Sequence, residues 1–360
     1  MKYLFLFLCL SLIASKARPQ YVGLNDKEIF NLKKLIDHDR DAQKYATSFK
    51  KIADEALNQM PDPIDTIVSE GHLATDPKKI ITGRSLKDID KIYSLAITYR
   101  IGNDTAYLNK LIGFLTAWAT VNKPQGNPIN DTKFADLFAA YDLTKNNIPQ
   151  GKKKVIDDWL IKMGSEEIRT GKNKVKTTSF NNWNSHRLKV IGCIAYTLNN
   201  DDYKKYINEE LPMQIEKNLL PDGSGFDFLE RDALHYHVYT LEPLIALATV
   251  LKRATGKDYY NYISTSGASI NKSIDFLIPY VTSEKTHGEY VNSKVAFDKK
   301  RADNKEPGFE IGANFKPTHG IPVIIQAAYF QPSLMEVVKR VTDNKSVYPN
   351  WQAVLNEVEK

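Results

Sequence analysis

The chain reads as an all-α protein, a toroid or incomplete barrel of antiparallel helical hairpins, on three observations. Apolar residues recur at helical spacing along most of its length, short turn clusters separate these segments, and no fixed-length repeat marks an open solenoid. Sustained period-two alternation is rare. About eleven or twelve helices are expected, with sequential helices antiparallel because their loops are short.

The elements follow in order. A first helical stretch runs over 27–58. Ile89, Ile92, Tyr93, Ala96 and Tyr99 then fall on one helix face, and Tyr107, Leu108, Leu111, Leu115 and Trp118 on another. Similar patterns cover 133–147, 151–169, 186–199, 203–218, 230–254, 270–281, 318–331 and 334–342. Gly102-Asn103-Asp104, Asn199-Asn200-Asp201-Asp202 and Gly256-Lys257-Asp258 are the turns between them. Residues 59–86, with Pro61, Pro63 and Pro77, and 283–317, with Gly288, Pro307, Gly308 and Gly312, escape the pattern. Loops this long in a compact domain are walls or lids of a cleft.

Composition narrows the class. Met1–Ala17 carries Lys2, an apolar run through Ile13 and the small residues Ala14, Ser15 and Ala17. It has the form of a cleaved secretory signal and is too short for a stable membrane span. The expectation is a signal peptide at 1–17, one domain at 18–360, and a secreted or periplasmic product free of the membrane. The formal charge of +6 becomes +4 without Lys2 and Lys16. That permits an anionic partner but lacks the basic stripe of a nucleic-acid binder. Cys9 leaves with the signal, so Cys193, in an apolar context, has no internal disulfide partner and is read as a buried structural thiol. Sequons begin at Asn103, Asn130, Asn271 and Asn344 and matter only in a eukaryotic source. A monomer is expected.

Two segments concentrate polar chemistry. The first is Ser179-Phe180-Asn181-Asn182-Trp183-Asn184-Ser185-His186-Arg187. Asn184 or Ser185 could simply cap the next helix, but capping does not account for Trp183 or for two adjacent amides near an imidazole. The second runs from Pro221 through Asp222-Gly223-Ser224-Gly225 to Leu241. On one continuous helix Arg231, His235 and Tyr239 share a face, with Asp232 and Tyr236 beside them. Burying such a face unpaired costs several kcal/mol, so it is read as facing a cleft. His235 and His237, two apart, point to different faces and make a poor metal pair. No metal and no cofactor is expected.

This set suits β-elimination of a 4-linked uronate. The sugar carboxylate must be neutralised, the C5 proton removed and the departing O4 protonated. Amides, Arg and His serve the first step, and a Tyr next to a cation serves the other two, alone if the elimination is syn. The motifs also resemble the alginate lyase family of (α/α) toroid lyases: Asn181 to His186, paired with Arg231-Asp232-Ala233-Leu234-His235-Tyr236-His237-Val238-Tyr239 and Thr240 to Leu244. Thr82 to Asp88, Phe114 to Ala119 and Thr286-His287-Gly288-Glu289-Tyr290 add to the likeness, which spans roughly 65–330. The resemblance implies metal-free cleavage of mannuronate-containing polymer, with Tyr239 in the place of the catalytic Tyr and Asn182 in that of the second amide. It departs in two places. The better-known members have His directly after the Asn pair, where this chain has Trp183 and its nearest His is His186. Their Arg also falls where this chain has Asp232. A divergent subgroup acting on glucuronan or another uronan is the variant reading.

The expected catalytic residues are therefore Tyr239, His186, Asn182 and Arg231. Asn181, Trp183, His235 and Tyr236 are expected to bind sugar, with His72, His287 and Tyr290 reaching it from the loops. Tyr236 is the alternative base. A glycoside hydrolase using two of Asp222, Asp227, Glu230 and Asp232 is the competing enzyme class, and a non-catalytic binder of acidic glycans is the third reading.

Overall fold

A computed structural model describes residues 19–172, 176–342 and 346–359; the expected signal peptide, Cys9 and the Asn344 sequon lie outside them. The chain opens with α1 (Asp26–His38) and α2 (Arg40–Leu57), which divide at Asp39, whose carboxylate caps α2. Next come α3 (Pro77–Ser85), α4 (Lys87–Gly102), α5 (Thr105–Val121), the single turn α6 (Pro128–Asp131), α7 (Ala135–Thr144) and α8 (Gln150–Gly171). The second half holds α9 (Asn182–Leu198), α10 (Asp201–Asn218), α11 (Phe226–Arg231), α12 (Leu234–Thr255) and α13 (Ile270–Val281). It closes with α14 (Ala296–Asp303), α15 (Ile321–Ala327), α16 (Leu334–Thr342) and α17 (Trp351–Val358). No β-strand occurs among the described residues.

These seventeen segments exceed the expected eleven or twelve because the stretch over 27–58 divides into α1 and α2, and because α3, α6, α11, α14 and α17 span only about one to two and a half turns. Such pieces are too short to show a periodicity. The turn clusters do what their residues favour. Asn103 and Asn199 take left-handed backbone (φ 59° and 58°) that ends α4 and α9, and the following Asp104 and Asn200 cap α5 and α10.

Inner helices follow one another around a ring: α4 packs on α7, α7 on α9, α9 on α12, α12 on α15, and α15 on α17. α17 packs on α1 and α2, and α2 returns to α4, so the toroid closes. Outside lie α5, α8, α10, α13 and α16. α9 sits among α7, α8, α10 and α12 and is buried almost all round. Gly192 lets α12 approach it, since a Cβ there would lie 2.3 Å from Leu247 Cδ1. Cys193, also on α9, is a buried free thiol, as expected, and burial pushes it up to about 11.

Candidate active site

The first polar cluster opens α9. Asn181 is its N-cap, with its side-chain oxygen accepting from Trp183 N at 3.0 Å, so neither Asn184 nor Ser185 has that role. With the helix beginning at Asn182, Asn182 and His186 sit one turn apart on the cleft side. Asn184 and Ser185 join a buried polar network instead. Asn184 Nδ2 donates to Gln214 Oε1 (2.8 Å), and Gln214 Nε2 donates to Ser185 Oγ (2.9 Å), which bonds Thr240 Oγ1. Thr240 donates to Asn218, and Asn218 Nδ2 and Asn182 Nδ2 both donate to Asp227, at 2.8 and 2.5 Å. Four helices are tied by this chain, and it fixes the Asn182 amide.

The second cluster departs from the continuous helix expected over 230–254. Asp232 adopts left-handed backbone (φ 47°), ending α11 at Arg231, and α12 starts at Leu234. Arg231 therefore does not share a helix face with His235 and Tyr239. It reaches the cleft from α11 with Nη1 2.9 Å from Tyr236 Oη and 2.5 Å from Asp298 Oδ1. A second guanidinium, Arg301 from α14, donates to the same Tyr236 oxygen at 2.8 Å and stacks on Phe297 and Phe309.

Tyr239 stands deeper. Its ring centroid is 4.3 Å from that of His186 and 6.4 Å from His235, which lies parallel to it. Among the described residues its hydroxyl has no hydrogen-bond partner. Burial holds the phenol well above its ordinary value, with Glu242 and Tyr236 adding to the rise and Arg301 opposing it. His186 Nδ1 is 3.1 Å from Thr132 Oγ1, and Nε2 is buried without a partner. Burial, helped by Lys189 and Lys133, drives His186 well below the usual imidazole range, so it is neutral. Pro243 leaves the Tyr239 carbonyl without its helical donor, and that carbonyl favours the charged ring slightly.

Three adjoining cavities form the cleft. The outer one, about 240 Å³, is lined by Asn182, Trp183, Arg231, His235, Tyr236 and Tyr239 among others. The middle one, about 280 Å³, shares Lys133 and Tyr239 with it and adds His186. The inner one, about 500 Å³, lies along the toroid axis and shares Asp136, Lys189 and Glu242 with the middle. The outer wall holds four cations, Lys79, Lys133, Arg231 and Arg301, against Glu70 and Glu306.

Three expected sugar contacts lie elsewhere. His72 pairs with Asp76 at 2.7 Å on the outer loop. His287 turns to Asp232, at 3.1 Å from its carbonyl and 3.3 Å from its carboxylate. Tyr290 is 2 % exposed and packs edge-on behind Tyr236. All three support the cleft from outside its lining. Arg301, Lys133 and Lys79 were not singled out: Lys79 and Arg301 stand among other charged residues in the two stretches read as cleft walls, and nothing in the local sequence distinguishes them from solvated neighbours. His237 faces away, as its spacing predicts, with Nε2 3.0 Å from Ser273 O.

The carboxylates weighed for hydrolysis are committed elsewhere. Asp227 holds two amides, Asp222 caps the Ser224 turn, Asp232 binds Asn292, and Glu230 lies 3.9 Å from Lys294. None lines the three cavities.

No curated protein matches this chain. Solved structures do. An alginate lyase from Bacteroides ovatus aligns over 91 % of this chain and 97 % of its own, with TM-score 0.66 and 18 % identity. Alginate lyase A1-III from Sphingomonas species A1 aligns over 83 % and 93 %, with TM-score 0.55 and 17 % identity. A Tyr-to-Phe variant of A1-III complexed with a tetrasaccharide aligns over 73 % and 78 %, with TM-score 0.56 and 16 % identity. At these identities the likeness establishes the toroid fold. The family model for alginate lyases matches residues 32–287, most of the chain and both polar clusters, and the protein therefore belongs to the alginate lyase family of polysaccharide lyases.

Proposed function

We propose that this lyase cleaves a 4-linked uronate polymer, polymannuronate-containing alginate first, by β-elimination at Tyr239. The observation that carries the reading is the position of that phenol. It lines both the cationic outer cavity and the middle one, touches His186, and has an unengaged hydroxyl.

The roles follow from the surroundings. Asn182, held by Asp227, and the cationic wall meet the sugar carboxylate and lower the cost of charge as C5–H is broken. Neutral His186 adds a polar contact beside the phenol without adding a charge. Tyr239, protonated at rest, passes its own hydroxyl proton to O4 as the bond to the leaving sugar breaks and accepts the C5 proton in its place, one group serving both ends of a syn elimination. Trp183 and His235 offer flat surfaces to the sugar rings. Tyr236 is the weaker candidate for the base, because both acceptor positions of its oxygen are occupied by Arg231 and Arg301. It reads better as the pivot that holds the two guanidinium groups in place. The enzyme is read as a single domain over 18–360, exported after loss of residues 1–17 and acting as a monomer.

A panel of polymannuronate, polyguluronate, glucuronan and hyaluronan, followed by the ultraviolet absorbance of the unsaturated uronate product, tests the proposal. Absorbance growth on polymannuronate is expected. Growth on glucuronan alone moves the substrate to the other uronan. New reducing ends without absorbance mean hydrolysis, and saturable binding with no new ends means a binder; either outcome overturns the reading.

A further inference from the structure

Behind the cleft, Asp131 on α6 and Glu167 on α8 bring two carboxyl groups together in the interior, 4 % and 0 % exposed. Asp131 Oδ2 and Glu167 Oε1 are both buried without a hydrogen-bond partner among the described residues, and the two carboxyls lie close enough that each perturbs the other. Two carboxylates offer only acceptors, so this contact requires one proton between them. The third member is Arg187 on α9, whose Nε donates to Glu167 Oε2 at 3.1 Å. With one shared proton the cluster is neutral; without it, a net negative charge sits in low dielectric. Tyr206 of α10 lies near Glu167 and Arg187, and His186 lies beyond Thr132; on α8 itself Glu166 pairs outward with Arg169.

The position of the pair gives it a role. Asp131 precedes Thr132, and Arg187 follows His186, so the cluster grips both sides of the Thr132–His186 hydrogen bond. We propose that Asp131 and Glu167 are positioning residues for the elimination, sharing one proton that holds Thr132 against His186 and so fixes which imidazole nitrogen carries hydrogen. This rests on the reading that places His186 beside the base. Burial raises both carboxyls, Glu167 the more, which agrees with a retained proton. A raised carboxyl favours the fold at low pH and loses that contribution as pH climbs, so the grip loosens on the alkaline side.

The test uses the full chain with ¹⁵N-labelled histidine, His186 being assigned by the signal lost in H186Q. The wild type is expected to show one His186 tautomer from neutral to mildly alkaline pH, and D131A a mixture. In E167Q the amide donates to Asp131 and accepts from Arg187 without ionising. Its activity, scaled to its own maximum, should persist about one pH unit further into the alkaline range. D131A should lose about tenfold or more in kcat with little change in KM. If D131A does not fold, D131N takes its place and should keep a single tautomer and the extended profile. Wild-type His186 signals in D131A, a mixture in its stand-in D131N, or an E167Q profile superimposable on the wild type, overturns the proposal. If the wild type acts on no uronan, the function falls, and the nitrogen signals still decide the shared proton.

Discussion

The ring of Tyr239 lies 4.3 Å from the ring of His186, although the two residues belong to different helices and are brought together only where α9 packs on α12. The contact leaves the phenolic oxygen open to the cleft and keeps a neutral imidazole against one side of the ring. Tyr239→Phe removes only that oxygen. Turnover should fall about 10²- to 10⁴-fold, the range of a lost acid–base group, while polymer binding measured by calorimetry changes little. Activity near the wild-type level would reject Tyr239 as the base.

Tyr236→Phe is expected to behave differently. Its oxygen accepts from two guanidinium groups, at 2.8 and 2.9 Å, and removing it frees both to shift. The loss should appear mainly in KM, by about tenfold, because positioning of the sugar carboxylate suffers before the proton transfer does. A collapse of kcat with unchanged KM would instead make Tyr236 the base. Arg301→Ala should mimic the KM effect and make binding less sensitive to salt, since it removes one cation from the outer wall.

Arg301 also shows where the sequence ran out. It stands in a stretch without periodicity, among charged residues that read alike, and only the packing of α14 selects it to meet Tyr236. The Asn–Asn–Trp–Asn–Ser–His cluster was readable because its residue types are dense and its capping chemistry is local. Which amide caps and which faces the cleft was not, because that depends on a one-residue choice of helix start. The helix break at Asp232 was hidden as well: the apolar spacing of Leu234, Val238 and Leu241 continues a pattern that α11 could have joined. The ring of hairpins was legible from turn chemistry, as Asn103 with Asp104 and Asn199 with Asn200 illustrate.

The break has its own energetic signature. Asp232 holds left-handed backbone while its carboxylate accepts from Asn292 N and Nδ2 and its carbonyl accepts from Tyr290 N. Replacing it by Gly or Ala loses the carboxylate bonds in both cases, but only Ala meets the steric cost of positive φ. D232A should be less stable than D232G by about 1 kcal/mol in urea unfolding. Equal stabilities would mean that the backbone relaxes out of the left-handed region when the carboxylate is gone.

The acid limit of stability should be set in part by His237. It is fully buried, Nε2 contacts Ser273 O, Nδ1 has no partner, and burial lowers the ring to about 4. In the unfolded chain the same ring takes a proton near ~6.5. Below that pH the unfolded state binds a proton the native state refuses, so stability is fully present above ~6.5 and drains away as pH falls toward 4. Over that window the loss amounts to about 3 kcal/mol for this one group. His237→Phe keeps the packing against Phe276 and removes the titration. The variant should cost about 1 kcal/mol at neutral pH, from the lost hydrogen bond, yet unfold less steeply as the solution is acidified. Parallel urea titrations of wild type and variant from neutral pH down to about 4 would show the wild-type curve start above that of the variant and cross below it, and curves that stay parallel would mean that His237 already carries its proton in the fold.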